Sequence, residues 1–265
     1  MEVNQQTIAA MRAVTVSREY GSGGGEIAAR LAGRLGWRLV DHEVIAQVAR
    51  ELGIYETQAQ AHDEQVESRI ARILQRWRLS VSGAFVAPVA GTTPFLAASA
   101  SPATGNPSLP TEQLAYQDTL RQIVEAAARA GHAVIVGRGG QVILAGQRDV
   151  LHVRLVAPLE QRIAYVMRRE GLDEAAARRR IQEKDRARTR YMQVTYHCNH
   201  EDPHLYDLVL NTGVLDLDSA VDVICQDLEH KANRLQVPVE EVGPAAGMTR
   251  YAGRPADFPV PPRQS

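Results

Sequence analysis

The sequence predicts an α/β protein with a three-layer α/β/α arrangement around a parallel sheet. Two observations predict it. Short β-branched runs alternate with amphipathic helical patterns along most of the chain, the signature of strands joined by crossover helices. The first run, "RAVTVS" (12–17), reads as a buried strand and leads directly into a glycine-rich turn and a helix, "REYGSGGGEIAARL".

The elements follow in order. Residues 1–11 read as an unstructured N-terminal extension ahead of the first strand. Glu26–Leu35 is a helix with Ile27, Leu31, Ala32 and Leu35 on one face, closed by Gly36. "WRLVD" (37–41) is a second strand and His42–Leu52 a second helix. Residues 58–80 carry an apolar stripe (Val66, Ile70, Ile73, Leu74, Trp77) at helical spacing. Residues 81–110 lack any charge and are rich in Ser, Ala, Gly, Thr and Pro, which reads as a connection rather than a domain. Thr111–Ala130 is helical. "HAVIVGRGG" (132–140) is a third strand entering a glycine turn, and "VLHVRLVAP" (150–158) a fourth. Leu159–Arg169 and Asp173–Arg190 are arginine-rich helices. "YDLVLNT" (206–212) is a fifth strand, Ser219–Arg234 a closing helix, and residues 235–265 a disordered tail.

Composition bounds the function. With 265 residues, 45% hydrophobic and 23% charged, the chain builds its core without disulfide staples. Two distant cysteines, Cys198 and Cys225, suit a reducing compartment. No apolar run is long enough for a bilayer, and the N-terminus lacks a signal-peptide pattern, so a cytoplasmic location is expected. A net charge of −1 and few aromatics argue against nucleic acid and membrane as partners. A homo-oligomer is left open.

The glycine loop is the strongest local signal. It matches neither G-x-G-x-x-G, which would need glycine at Glu26, nor G-x-x-x-x-G-K-[ST]. With Gly24 as the last loop glycine, Gly25 occupies the lysine position and Glu26 the Ser/Thr position. The backbone argument survives. Gly21, Gly23, Gly24 and Gly25, with Ser22 among them, let successive N–H groups cradle an anion at a helix N-terminus. Arg18 can supply a cation from the other side of the loop. Glu26 has two readings, a direct Mg²⁺ ligand or a favourable charge in the first helical turn. "HCNHEDPH" (197–204) reads as polar surface more readily than as a zinc site, because Pro203 breaks its helical spacing. No G-x-S-x-G elbow accompanies Ser17 or Ser22.

In serial order, "SREYGSGG", "EIAARLAGRLGWRLVDHEVI", "AVIVGRGG", "LHVRLVAPLEQRI", "KDRARTRYM" and "YDLVLNT" resemble the cytidylate kinase-like family, relatives of the nucleoside monophosphate kinases. The resemblance covers residues 12–234. It implies a P-loop fold of nucleoside monophosphate kinase type, a helical acceptor-binding insertion over 42–130 and an arginine-bearing lid over 168–204. It also implies transfer of the ATP γ-phosphoryl, with Mg²⁺, to a nucleoside monophosphate such as CMP or a related small phosphorylated acceptor. Position by position, Gly21–Gly25 would hold donor phosphates. Asp41 would lie near the acceptor, and Arg138 would grip its phosphate. Arg162 would approach the donor. Asp185 and Arg188 match the family's Asp-Arg-x-Arg stretch, and Arg186 is a further phosphate contact. The chain departs from the family at Gly25, where kinase-like relatives carry arginine and full cytidylate kinases have their lysine in this loop. A nucleotide sensor or interaction protein with little turnover is therefore the second expectation.

Overall fold

The computed structural model describes residues 4–45 and 110–243. Five parallel strands form one sheet in the order β2-β3-β1-β4-β5: β1 (Ala13–Arg18), β2 (Arg38–Val40), β3 (Ala133–Val136), β4 (Val150–Val156) and β5 (Leu208–Asn211). Each of the central strands β1, β3 and β4 is buried on both faces, which is why β3 reads as an unbroken apolar run and β1 and β4 as largely apolar ones.

Helices cover the two faces. On one, α1 (Gln5–Ile8), α2 (Gly24–Leu35) and α7 (Leu217–Asn233) pack Ile27, Leu31, Ile224 and Leu228 against Val14, Val16, Val134 and Val153. On the other, α3 (Pro110–Arg129) and the short α4 (Gly140–Ile143) bring Leu120, Ile123, Val124 and Ile143 onto Ala13, Ala133 and Ile135. A third cluster, Ile163, Val166, Ala177 and Ile181, joins α5 (Leu159–Glu170) to α6 (Glu174–Tyr196) as an antiparallel pair. This is the three-layer α/β/α sheet of the P-loop nucleoside monophosphate kinase type.

The structure corrects several sequence expectations. The N-terminal extension is not unstructured from residue 4 onward. Asn4 caps α1 with its side-chain oxygen, and Ile8 and Met11, each 1% exposed, join the core. A four-residue helix is too short to show periodicity. Ile8→Ala is expected to cost about 3 kcal/mol in urea unfolding, the usual range for a fully buried aliphatic truncation; a cost below about 0.5 kcal/mol would show the segment to be dispensable. The tail beginning at residue 235 is ordered at its start: Leu235 packs on the core and Val239–Glu241 form a 3-10 turn. Helix α6 runs six residues beyond Arg190. Its end is set by His197 in the left-handed region, whose N–H donates to the Gln193 carbonyl. The second helix begins at His42, while its continuation, the stripe at 58–80 and the 81–109 connection lie outside the described residues, as does the tail beyond 243.

Candidate functional site

The C-terminal ends of β1 and β3, adjacent at the centre of the sheet, define a crevice of the kind where open α/β sheets bind ligands. The glycine loop leaves β1. Gly21 and Gly23 take φ of 85° and 76°, and Gly23 is the N-cap of α2. The last loop glycine is therefore Gly23, one place earlier than the sequence suggests, and the helix opens at Gly24. Counted back from Gly23, the mononucleotide pattern puts its first glycine at Arg18 and its lysine at Gly24. These two departures are physically linked. A Cβ on Gly24 would fall 2.7 Å from the Arg18 Cβ and 2.8 Å from its Cγ. The arginine stem occupies the space from which a lysine would grow.

The Arg18 guanidinium reaches across to the turn after β3. A Cβ on Gly137, at φ 74°, would lie 2.3 Å from Arg18 Nη1, so only glycine admits it there. Next in that turn stands Arg138, a non-glycine residue at φ 58° whose carbonyl accepts a 3.1 Å bond from the Tyr196 hydroxyl. From the other side, Arg188 on α6 donates to the Arg18 carbonyl at 3.3 Å, and its guanidinium lies 5.4 Å from the centre of the Tyr20 ring. Burial first, then the charges of Arg188 and Arg138, pull the Arg18 guanidinium down to about 9, with Asp41 acting in the opposite sense. Burial likewise holds Arg188 below its usual value, opposed by Asp185. Among the described residues the side chains of Arg18 and Arg138 make no ion pair or hydrogen bond. Since an arginine does not give up its proton in a protein, the Arg18 charge is retained, and an anion placed beside it would offset the cost of its burial.

Asp41 follows β2 and caps the helix that starts at His42, accepting from the N–H groups of Glu43 and Val44 at 3.0 and 3.1 Å. Burial, then Arg138, lowers the pKa of His42, so its ring is held neutral beside the arginines.

Other sequence-singled residues form a clasp behind the loop. Asp185 accepts from the Tyr20 N–H at 2.8 Å and from Arg162 at 2.6 Å, and pairs with Arg188 at 3.3 Å. Arg162 also reaches the Tyr20 carbonyl and stands 3.5 Å from Glu19. Ser22 is 3% exposed, and its hydroxyl donates to the Glu19 carbonyl at 3.0 Å, so it braces the loop from within. Glu26 holds Arg30 at 2.5 Å and accepts from the Tyr165 hydroxyl at 3.3 Å. Arg186, with Arg190 and with Arg162 and Asp185 of the clasp, lines an open cavity of about 550 Å³ between α5 and α6. In the 197–204 segment, Asp202 caps a 3-10 turn and pairs with His204 at 2.7 Å. Among the described residues no three His, Cys, Asp or Glu side chains converge as a metal site.

A polyphosphate fits this geometry. Among the described residues nothing lies within 4 Å of a Cβ placed on Gly25, so the first turn of α2 is open there. A protein-held metal fits less well, since a cation at Glu26 would have to displace Arg30. Sequence reasoning missed Tyr196, whose bond to the Arg138 carbonyl spans 58 positions, and Arg154, a charge inside the apolar strand β4 that was itself a visible signal.

Similarity to known proteins agrees with the fold and the loop. Residues 13–214 match the cytidylate kinase-like family. A cytidylate kinase of Methanopyrus kandleri is 35% identical over 106 residues, 37% of this chain and 55% of that protein. A uronate isomerase of Corynebacterium glutamicum is 34% identical over 119 residues, 45% of this chain and 22% of that protein. The chain thus spans less than two thirds of the length of either relative. The solved structure of an uncharacterized protein from Eubacterium ventriosum superposes with a TM-score of 0.56 at 21% identity, covering 83% of this chain and 99% of that one. Among the described residues no helix is long and apolar enough to cross a membrane. With its glycine loop between β1 and α2, the arginine turn after β3 and a family match that reaches from β1 past β5, the chain belongs to the cytidylate kinase-like family, a kinase-like group with the P-loop fold.

Proposed function

We propose that the protein is a phosphotransferase that moves the γ-phosphoryl of ATP to a nucleoside monophosphate, CMP-like, or to a related small phosphorylated acceptor. The observation that supports this reading is the clustering of the Arg18, Arg138 and Arg188 charges between the glycine loop and the turn after β3, where Asp41 and Asp185 are the carboxylates that act on them. Phosphoryl transfer asks little covalent work of a protein. It asks for positioning and for positive charge around the transferring group.

ATP when bound supplies the phosphoryl group, and Mg²⁺ accompanying its phosphates neutralises part of their charge. The N–H groups at the start of α2 hold the donor phosphates. Arg18 stands in for the loop lysine, approaching from the strand rather than from the helix. Arg138 orients the acceptor phosphate through its planar fork. Arg188 spans the two, and Asp41 lies on the acceptor side. A guanidinium about 4 Å from a phosphate charge gains roughly 4 kcal/mol at an effective dielectric near 20, before desolvation. Two such contacts compensate for one absent ammonium. Asp185 and Arg162 position the loop, and α6 with the segment to residue 204 serves as the lid.

The test is ADP release from Mg·ATP with CMP, dCMP, UMP, AMP or GMP as acceptor. Acceptor-dependent release is expected for the wild type, and Arg138→Ala should reduce it at least about 100-fold. One observation favours a second reading, a nucleotide sensor with little turnover: no lysine or arginine stands at Gly24 or Gly25. Calorimetric binding of ATP without release for any acceptor would support that reading instead.

A further inference from the structure

The turn that follows β3 has an unusual backbone. Gly137, Arg138 and Gly139 take φ of 74°, 58° and 74°, three successive residues in the left-handed region. Glycine enters that region freely, but a residue with a side chain is strained there. Such strain persists only where surrounding contacts over-determine it, and a charged residue held this way at the ligand-binding end of a sheet is an outlier that points to use. The left-handed state of Arg138 is therefore something the rest of the molecule must enforce.

The enforcing contact comes from the last residue of α6. The Tyr196 hydroxyl donates to the Arg138 carbonyl at 3.1 Å. Its ring lies on Gly139, where an added Cβ would fall 2.3 Å from Tyr196 Cε2 and 2.7 Å from Cζ. Gly139 thus makes room for the tyrosine as well as for the turn. The end of the helix is itself braced. Tyr191 stands edge-on to Tyr196, with ring centres 5.9 Å apart and planes at 84°. The neighbouring Thr195 hydroxyl accepts a 3.3 Å bond from Gln117 of α3. Burial first, then the Tyr191 hydroxyl, push the Tyr196 phenol above its usual pKa, so the group stays protonated and remains a donor. α6 ends at this residue, capped by His197 in the left-handed region. The helix delivers Tyr196 to the turn and stops.

We propose that Tyr196 is a positioning residue for Arg138: its hydroxyl holds the left-handed turn in the conformation that presents the guanidinium beside Arg18. The ligand that Arg138 then takes rests on the phosphotransferase reading; the hold on the turn does not. A Tyr196 that only anchors the end of α6 makes a different prediction. Its hydroxyl would then matter equally whether or not residue 138 carries a guanidinium.

The experiment compares the full-length wild type, Tyr196→Phe, Arg138→Ala and the double variant. Tyr196→Phe keeps the ring over Gly139 and removes one hydrogen bond. Turnover is measured with Mg·ATP and whichever of CMP, dCMP, UMP, AMP and GMP supports ADP release. Tyr196→Phe should lower kcat/KM for that acceptor about tenfold, through KM, which is the worth of one well-formed hydrogen bond. In the Arg138→Ala background the same change should cost less than about twofold, because the group it positions is gone. Calorimetric ATP affinity without acceptor should be alike in the wild type and Tyr196→Phe. In the ligand-free proteins, hydrogen exchange at the amides of residues 138–140 should be about tenfold faster in Tyr196→Phe, with those of β1 and β4 unchanged. Equal factors in the two backgrounds overturn the proposal. So does unchanged exchange in the turn, and so does a loss of ATP affinity as large as that for the acceptor. A wild type that releases no ADP with any acceptor counts against the phosphotransferase reading alone, and the exchange comparison then decides the role of Tyr196.

Discussion

Arg18→Gly is expected to lower turnover by about 10²–10³-fold, and adding Gly24→Lys to it is expected to recover a large part of the loss. The first figure is the usual consequence of removing one preorganised charge from a site of charge development. The recovery follows from geometry. Arg18 stands where the mononucleotide pattern has glycine, and Gly24 where it has lysine. The arginine stem fills the origin of any side chain at Gly24, 2.7 Å from the Cβ that a lysine would add. Gly24→Lys alone should therefore distort the loop and lose activity. The double variant returns both positions to the common pattern, so the two substitutions must be strongly non-additive. Steady-state turnover of the three variants, with ATP affinity measured in parallel, checks this. Equal and independent losses would mean that Arg18 does not take the lysine's part. Stability moves the other way. Burial and two neighbouring arginines oppose the charge on Arg18, so Arg18→Gly should not lower the thermal midpoint through electrostatics, and phosphate should stabilise the wild type more than the variant.

Asp185→Asn is expected to cost about 2 kcal/mol of stability and about 100-fold in turnover. The carboxylate takes the Tyr20 N–H, Arg162 and Arg188 at once, and is about a third exposed, which trims the electrostatic share. The asparagine keeps an acceptor for Tyr20 and removes the charge that holds the two arginines. The loop then loses its register against α6, and a displacement of about 1 Å at a transfer site is worth roughly 100-fold. Urea unfolding and turnover test the two effects separately. Lost stability with intact turnover would make Asp185 a purely structural residue. A smaller, separate pH effect belongs to Asp202, which caps the 3-10 turn after α6: there the His204 N–H and ring lower the carboxylate's pKa, so its small contribution is present at neutral pH and fades as acid protonates it.

The five strands and the loop were legible in the sequence because their signals are local. Val14, Val16, Val134 and Val136 make runs that need no partner to be recognised, and glycines at 21 and 23 announce a turn. The register of the loop was not legible. Three consecutive glycines, 23 to 25, are equivalent in a sequence, and only the left-handed φ of Gly23 shows which one caps the helix. Arg162, Asp185 and Arg188 could be singled out, yet their division of labour depends on Glu19 and Tyr20, far away along the chain. Ser22 looked like a phosphate ligand by its place among glycines, whereas its hydroxyl is used by the Glu19 carbonyl. α1 was invisible because one turn carries no period, and its evidence is Ile8 in the core. Arg154 was visible as a charge in an apolar strand, but its partners, Ser17 on β1 and the Tyr206 ring, lie far away along the chain.

Helix α6 grips the protein at two separate points. Asp185 and Arg188 hold the glycine loop, and Tyr196, about 16 Å further along the rod at 1.5 Å per residue, holds the carbonyl of Arg138. A straight helix pinned twice behaves as a beam across two supports. It cannot tilt at one without loading the other. Whatever settles the loop also steadies the Arg138 turn, and by reciprocity whatever fills that turn tightens the loop. Donor and acceptor would then favour each other's binding with no hinge between them, and the stiffness of a single helix sets how strongly.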